Sequence, residues 1–262
     1  VTLELLGYAG RRVVVTGCAS GIGREVAGRR GVAGAPFHRL DHVPTDLPLA
    51  AFHLTDLRYQ DAIDAVVDAI AGPVDGLFAC AGLPPMRSQI EVLTVNFIAV
   101  RYLTDRLLGQ MTPGAAIVGV GSNGGGGWRN HLADIRDLLK TTSFAQAVDW
   151  CAGHPALIAN AYGFSKETLA VWTMQHCAAT IAHGVRLNCT SPGVVKTPML
   201  DEIATVAPAA AIDAVAQPIG RWSSATEQAW PLLWLGSPLS SYINGVDLPV
   251  DGGFRAGQTL RD

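Results

Sequence analysis

Short apolar runs alternate along the chain with stretches in which apolar positions recur at helical spacing. Arg12–Thr16 reads as a strand. A glycine-rich turn follows, and then a short helix from about Gly21 to Arg30. A weak second strand is predicted at Ala35–Leu40 and a third at Ala50–Leu54. Between Tyr59 and Ala71, Ala62, Ile63, Val66, Val67 and Ile70 share one helix face. Gly76–Cys80 is a fourth strand, Gln89–Leu108 a long helix and Ala115–Val120 a fifth strand. Asn160–Ala182 is another long helix, Val185–Thr190 a sixth strand, Ala225–Leu235 a helix and Gly245–Val250 the last strand. Strands that are apolar almost throughout, alternating with helices, imply a parallel sheet of about seven strands covered by helices on both faces. The expected class is α/β with a doubly wound, Rossmann-like sheet. Such a sheet binds ligands beyond the carboxyl ends of its strands, where strand order reverses.

The chain of 262 residues fits one large domain. One stretch interrupts the alternation. From Asn123 to His154, four glycines (Gly124–Gly127) lead into polar and helical sequence, separating the fifth strand from its helix by far more than an ordinary loop. The span from about 124 to 158 is read as a helical insert. Leu132, Ile135, Leu138 and Leu139 predict a helix there, expected to close over a pocket or to touch a neighbouring subunit. Trp128 and Trp150 are candidate pocket residues, whereas Trp230 and Trp234 are read as core.

Net charge is −3 and no basic cluster occurs, so nucleic acid is not an expected partner. No run is apolar enough to span a membrane, and no secretory pattern opens the chain, although it begins with Val rather than Met. Five cysteines without C-x-x-C spacing suit a reduced, cytoplasmic protein. The seven histidines show no metal-ligand spacing, and no metal is expected.

Gly17, Ser20, Gly21, Ile22 and Gly23 lie between the first strand and its helix. Glycines there permit a tight turn and let a pyrophosphate approach the backbone and the helix N-terminus. Asp41 ends the second strand, where an acid can accept hydrogen bonds from a ribose. The other reading of Asp41 is a turn residue. Tyr162 and Lys166 stand four apart on a predicted helix and so share a face. An ammonium beside a phenol favours its ionised form.

These residues together resemble the short-chain dehydrogenase/reductase family in its single-domain form, from Arg12 to Gly253. The family's T-G-x-x-x-G-x-G matches Thr16 to Gly23 and its Y-x-x-x-K matches Tyr162 to Lys166. Asn96 and Ser122 match the remaining members of its catalytic tetrad. Asp56, followed by Leu57, matches the adenine-contacting acid. Pro192, Gly193, Val195 and Thr197 match its P-G-x-x-x-T segment, and Asp251-Gly252-Gly253 its closing motif. Two departures stand out. Ala79-Cys80-Ala81-Gly82 replaces N-N-A-G, and Ser122 and Tyr162 stand 40 residues apart, much more than is common in the family. The long gap is similar to that of a bacterial subgroup acting on 3α-hydroxysteroids and coniferyl alcohol.

The resemblance implies NAD as cofactor, preferred over NADP. It also implies hydride exchange with a hydrophobic alcohol, ketone or aldehyde, and a homodimer or homotetramer. In it Tyr162 is the proton-transfer group, and Lys166 lowers the tyrosine pKa and binds the nicotinamide ribose. Ser122 steadies the substrate oxygen, and Asn96 holds a relay water. Cys80, Ala81 and Gly82 cover the adenosine, while Val195 and Thr197 fix the carboxamide. Two other classes remain: an idle dinucleotide-binding regulator on the same fold, disfavoured by the complete tetrad, and an epimerase or dehydratase, disfavoured by the glycine spacing.

Overall fold

The computed structural model describes residues 5–28, 37–47 and 51–259. Arg29 and Arg30 of the predicted first helix, and the first residues of the second and third strands at Ala35 and Ala50, lie outside them. The first half runs β1 (Val13–Thr16), α1 (Gly21–Gly28), β2 (Phe37–Asp41), β3 (Ala51–Leu54), α2 (Gln60–Ala69), β4 (Val74–Ala79), α3 (Gln89–Leu93), α4 (Ala99–Leu108) and β5 (Met111–Val120). It continues with α5 (Leu132–Leu138), α6 (Phe144–Ala152), α7 (Ala161–Ile181), β6 (Arg186–Pro192), β7 (Val195–Lys196), α8 (Pro198–Ala204) and α9 (Ala209–Val215). β8 (Ser223–Ser224), α10 (Ala225–Gly236), β9 (Asp247–Val250) and α11 (Phe254–Thr259) complete it.

Seven strands form one parallel sheet in the order β3-β2-β1-β4-β5-β6-β9. The two-residue strands β7 and β8 pair separately. Alternation along β1 shows why the strands read as continuously apolar. Val13 and Val15 pack with Val26 of α1 and Leu232 and Leu233 of α10, while Val14 faces the opposite layer with Ile63 and Leu103. Both pleat faces are therefore dry. Order reverses between β1 and β4, and the carboxyl ends of those strands open a cleft there.

Three expectations change. The single helix over Gln89–Leu108 is broken by a π turn at Thr94–Ile98, which holds Asn96. The added residue per turn shifts the phase of the helix, a feature frequent at functional sites. Trp234 is 38% exposed and so is not core. The helices of the insert do not line the cleft, which the insert meets at Gly124. Ile135, Leu138, Phe144, Ala147 and Cys151 join the main core cluster, so α5 and α6 bury their apolar stripes on the body of the domain, beside α3 and α7. Trp150 stacks on His154 and donates to Asp137, and Trp128 lies under Arg129; neither reaches the cleft.

Candidate active site

The glycine turn is built by close approach. Gly17 and Gly21 have φ of 70° and 54°, which favours glycine. A Cβ on Gly17 would stand 2.7 Å from the Ala81 backbone, and one on Gly23 would stand 2.1 Å from the Gly17 carbonyl oxygen. The turn thus lies bare against the Cys80–Ala81 backbone, itself tied by the Ala81 N–H to the Thr16 hydroxyl at 3.1 Å. The first N–H groups of α1 open onto the space this leaves, an environment suited to a phosphate. Gly23→Ala is expected to cost about 1–3 kcal/mol through overpacking. A thermal melt identical to that of the parent would refute this packing.

Asp41 closes the turn from the second strand. Its carboxylate is buried and accepts from the N–H groups of Ala19 (2.8 Å) and Val43 (3.2 Å). The acid therefore acts both as a turn residue and as a wall of the cleft. Arg39, on the same strand, directs its guanidinium to the Ala27 carbonyl and not to the cleft. Asp56 is held by Arg58, which keeps its carboxyl below the ordinary range and also pairs with Glu91.

One cleft of about 740 Å³ collects the turn residues with Asp41, Asp56, Leu57, Cys80, Ala81, Gly82, Pro192, Gly193, Val195 and Thr197. Ser122, Tyr162 and Lys166 line the same space. Asn96 stands behind it, fully buried. Its side-chain amide accepts from the Leu83 N–H at 2.7 Å and donates to the Leu83 carbonyl at 3.1 Å, clamping the chain just after Gly82. Thr197 caps α8, and Cys80 is a half-buried thiol that desolvation pushes up to about 12, so it stays protonated near neutral pH.

Lys166 is buried and donates to the Val120 carbonyl at 2.8 Å, with its ammonium 5.7 Å from the centre of the Tyr162 ring. Burial lowers the Lys166 pKa to about 8. The Tyr162 phenol moves the other way. Burial raises it, and a hydrogen bond with Ser122 offsets part of the rise. Burial, and not the neighbouring ammonium, sets the direction of the Tyr162 shift.

Sequence patterns missed the far wall. Met199, Leu200 and Ile203 on α8 and Ile212 and Val215 on α9 line the end of the cleft, with Ala207 between the helices. The spacing of Leu200 and Ile203, and of Ile212 and Val215, was the available signal. Arg87 at the rim pairs with Glu202 of α8 at 2.8 Å.

Residues 11–133 match the short chain dehydrogenase family model, and residues 141–255 match a model described as enoyl-(acyl carrier protein) reductase. A coniferyl-alcohol dehydrogenase from a Pseudomonas species is 33% identical over 244 residues, 93% of this chain and 96% of the relative. The chain belongs to the short-chain dehydrogenase family. A 3-alpha-hydroxysteroid dehydrogenase/carbonyl reductase of Comamonas testosteroni is 30% identical, with 93% and 96% covered. Among solved structures, a 3-alpha-hydroxysteroid dehydrogenase from Pseudomonas sp. complexed with NADH superposes with a TM-score of 0.79. It is 28% identical, with 95% of this chain and 99% of that one covered. A Beutenbergia cavernae member of similar fold (TM-score 0.71, 27% identity, 95% and 98% covered) has bound NADP. As a short-chain dehydrogenase, the protein is an oxidoreductase of alcohol-dehydrogenase type. The bare glycine turn, the open helix end and the cleft beside them fit a dinucleotide.

Proposed function

We propose that the protein exchanges hydride between NAD and a primary or secondary alcohol, or the matching carbonyl, carried on a hydrophobic cyclic or aromatic body. The observation that carries this reading is the position of Ser122, Tyr162 and Lys166 in a cleft with the glycine turn on one side and the apolar α8–α9 wall on the other. The dinucleotide, when bound, accepts or supplies the hydride. Tyr162 takes the hydroxyl proton as the alcohol is oxidised, and returns it in the reverse direction. Ser122 donates to the substrate oxygen as negative charge grows on it. Lys166, held by Val120, keeps a positive charge near the phenol and has two further N–H donors for a ribose. Asn96 fixes the Leu83 backbone beside the reacting groups and is placed to hold a relay water. Asp41 selects a free ribose hydroxyl over a phosphate.

The apolar wall supports a ring-bearing substrate, as do the names of the relatives that act on coniferyl alcohol and a hydroxysteroid. The five free thiols support a reducing, cytoplasmic setting, and a homo-oligomer is expected from the family. Among the described residues, no helix is long and apolar enough to cross a membrane.

A panel of cyclic and aromatic alcohols with NAD, followed by absorbance of the reduced cofactor, tests the assignment. Ring-bearing alcohols should turn over, and Ile212→Asp should raise their KM by about tenfold or more by placing a charge on the apolar wall. Dinucleotide binding with no turnover of any alcohol or ketone would favour the idle-regulator reading instead. An unchanged KM in Ile212→Asp would remove α9 from the substrate wall.

A further inference from the structure

Three of the four glycines that follow Asn123, namely Gly124, Gly125 and Gly127, form a strap directly against the first turns of α7, while Gly126 faces Asn123 and Arg255. A Cβ on Gly125 would stand 2.8 Å from the carbonyl carbon and oxygen of Lys166 and 3.1 Å from the Glu167 nitrogen. A Cβ on Gly124 would stand 3.4 Å from the Ser122 hydroxyl and 3.9 Å from the Tyr162 ring. One on Gly127 would stand 2.9 Å from the Glu167 carboxylate. The strap thus follows α7 from Tyr162 to Glu167, and its first N–H, that of Gly124, donates to the Ser122 hydroxyl at 3.1 Å. Gly125 is buried although it has no side chain of its own to anchor it.

An anchor stands at the end of the strap. His131 Nδ1 lies 2.6 Å from Glu167 Oε2, and its ring meets Phe164 edge-on at 6.0 Å. The Glu167 side chain is only 8% exposed, and it directly follows Lys166 in the sequence. A buried carboxylate is costly without a partner, and His131 supplies one from the far end of the strap.

We propose that Gly124–His131 is a brace for the reacting hydroxyls, in which the His131–Glu167 contact clasps the glycine strap at Gly124–Gly127 onto α7 and so holds Ser122 against Tyr162. His131 and Glu167 are positioning residues, acting through Ser122. The inference rests on the proposed roles of Ser122 and Tyr162. It gives the insert a task that burial of α5 and α6 makes possible, since a packed insert supplies a fixed point for the clasp.

The test compares His131→Ala, Glu167→Ala, His131→Asn, Ser122→Ala and the His131→Ala/Ser122→Ala double variant, all in the full chain. Asparagine places an N–H donor near the position of Nδ1 and serves as the rescue. Amide hydrogen exchange over residues 122–128, read by mass spectrometry, needs no substrate. It should quicken by about tenfold or more in both alanine variants and return towards the parent in His131→Asn. With the best alcohol from the panel, kcat should fall by about tenfold in the alanine variants while NAD affinity stays within about twofold. Adding His131→Ala to Ser122→Ala should cost little more, because the strap then positions nothing. Unchanged exchange in His131→Ala overturns the clasp, whatever the activity. Equal kcat losses with and without Ser122 overturn the route through Ser122. Failure of the catalytic assignment itself shows separately, as full activity in a Tyr162→Phe variant or as no turnover across the panel.

Discussion

Tyr162→Phe should fold, bind the dinucleotide and lose about 10²- to 10⁴-fold in turnover, the range over which a positioned proton-transfer group acts. The phenol lies in the cleft beside Ser122, and removing its oxygen leaves the ring packing in place. The pH dependence should change with it. Burial raises Tyr162 and lowers Lys166 to about 8, so one proton leaves the pair near that pH. The form with phenolate and ammonium has the same proton count as the form with phenol and neutral amine. Alcohol oxidation in the parent should therefore rise with pH and level off above about 8, since the competent base exists only after that proton has gone. The reverse reduction needs the proton and should decline over the same range. Stopped-flow or steady-state rates across pH, with a parallel NAD-binding measurement, check both parts. A phenylalanine variant within about threefold of the parent would remove Tyr162 from the chemistry.

The second large effect concerns the choice between NAD and NADP. A 2′-phosphate near Asp41 meets a buried carboxylate, with the Arg39 guanidinium committed to Ala27. Repulsion between close charges near a surface is about 1–4 kcal/mol, which corresponds to a preference of roughly ten- to several-hundred-fold for NAD in kcat/KM. Asp41→Ala should narrow that gap. It should also weaken NAD itself, because the same carboxylate holds the Ala19 N–H of the glycine turn. Asp41→Asn separates the two effects, keeping an acceptor for the turn while removing the charge. Equal efficiency with both cofactors in the parent would defeat the assignment.

Much of the architecture was legible in the chain because it depends on local chemistry. Strands buried on both faces must be apolar throughout, as Val13–Val15 are, and helices covering them must carry a stripe, as Ile63, Val66 and Val67 do. Gly17 and Gly23 announce a close backbone approach that few other residues permit, and Tyr162 and Lys166 share a face because of the helical repeat. These features set the sheet, its open end and the residues lining the cleft there. Long-range packing decided the rest. Whether the stripe on Ile135 and Leu138 would close a cleft or bury on α3 and α7 cannot follow from its periodicity, since any apolar surface satisfies it. The π turn at Asn96 depends on the backbone of Leu83 that the side chain must reach, and the place of α8 and α9 over the cleft on where β6 ends. The direction of the Tyr162 shift depends on how much water the surrounding fold excludes, a property of the assembled site. The pairing of His131 with Glu167, 36 residues apart, exists only because the insert packs against the domain and brings a histidine back to the helix that carries Lys166.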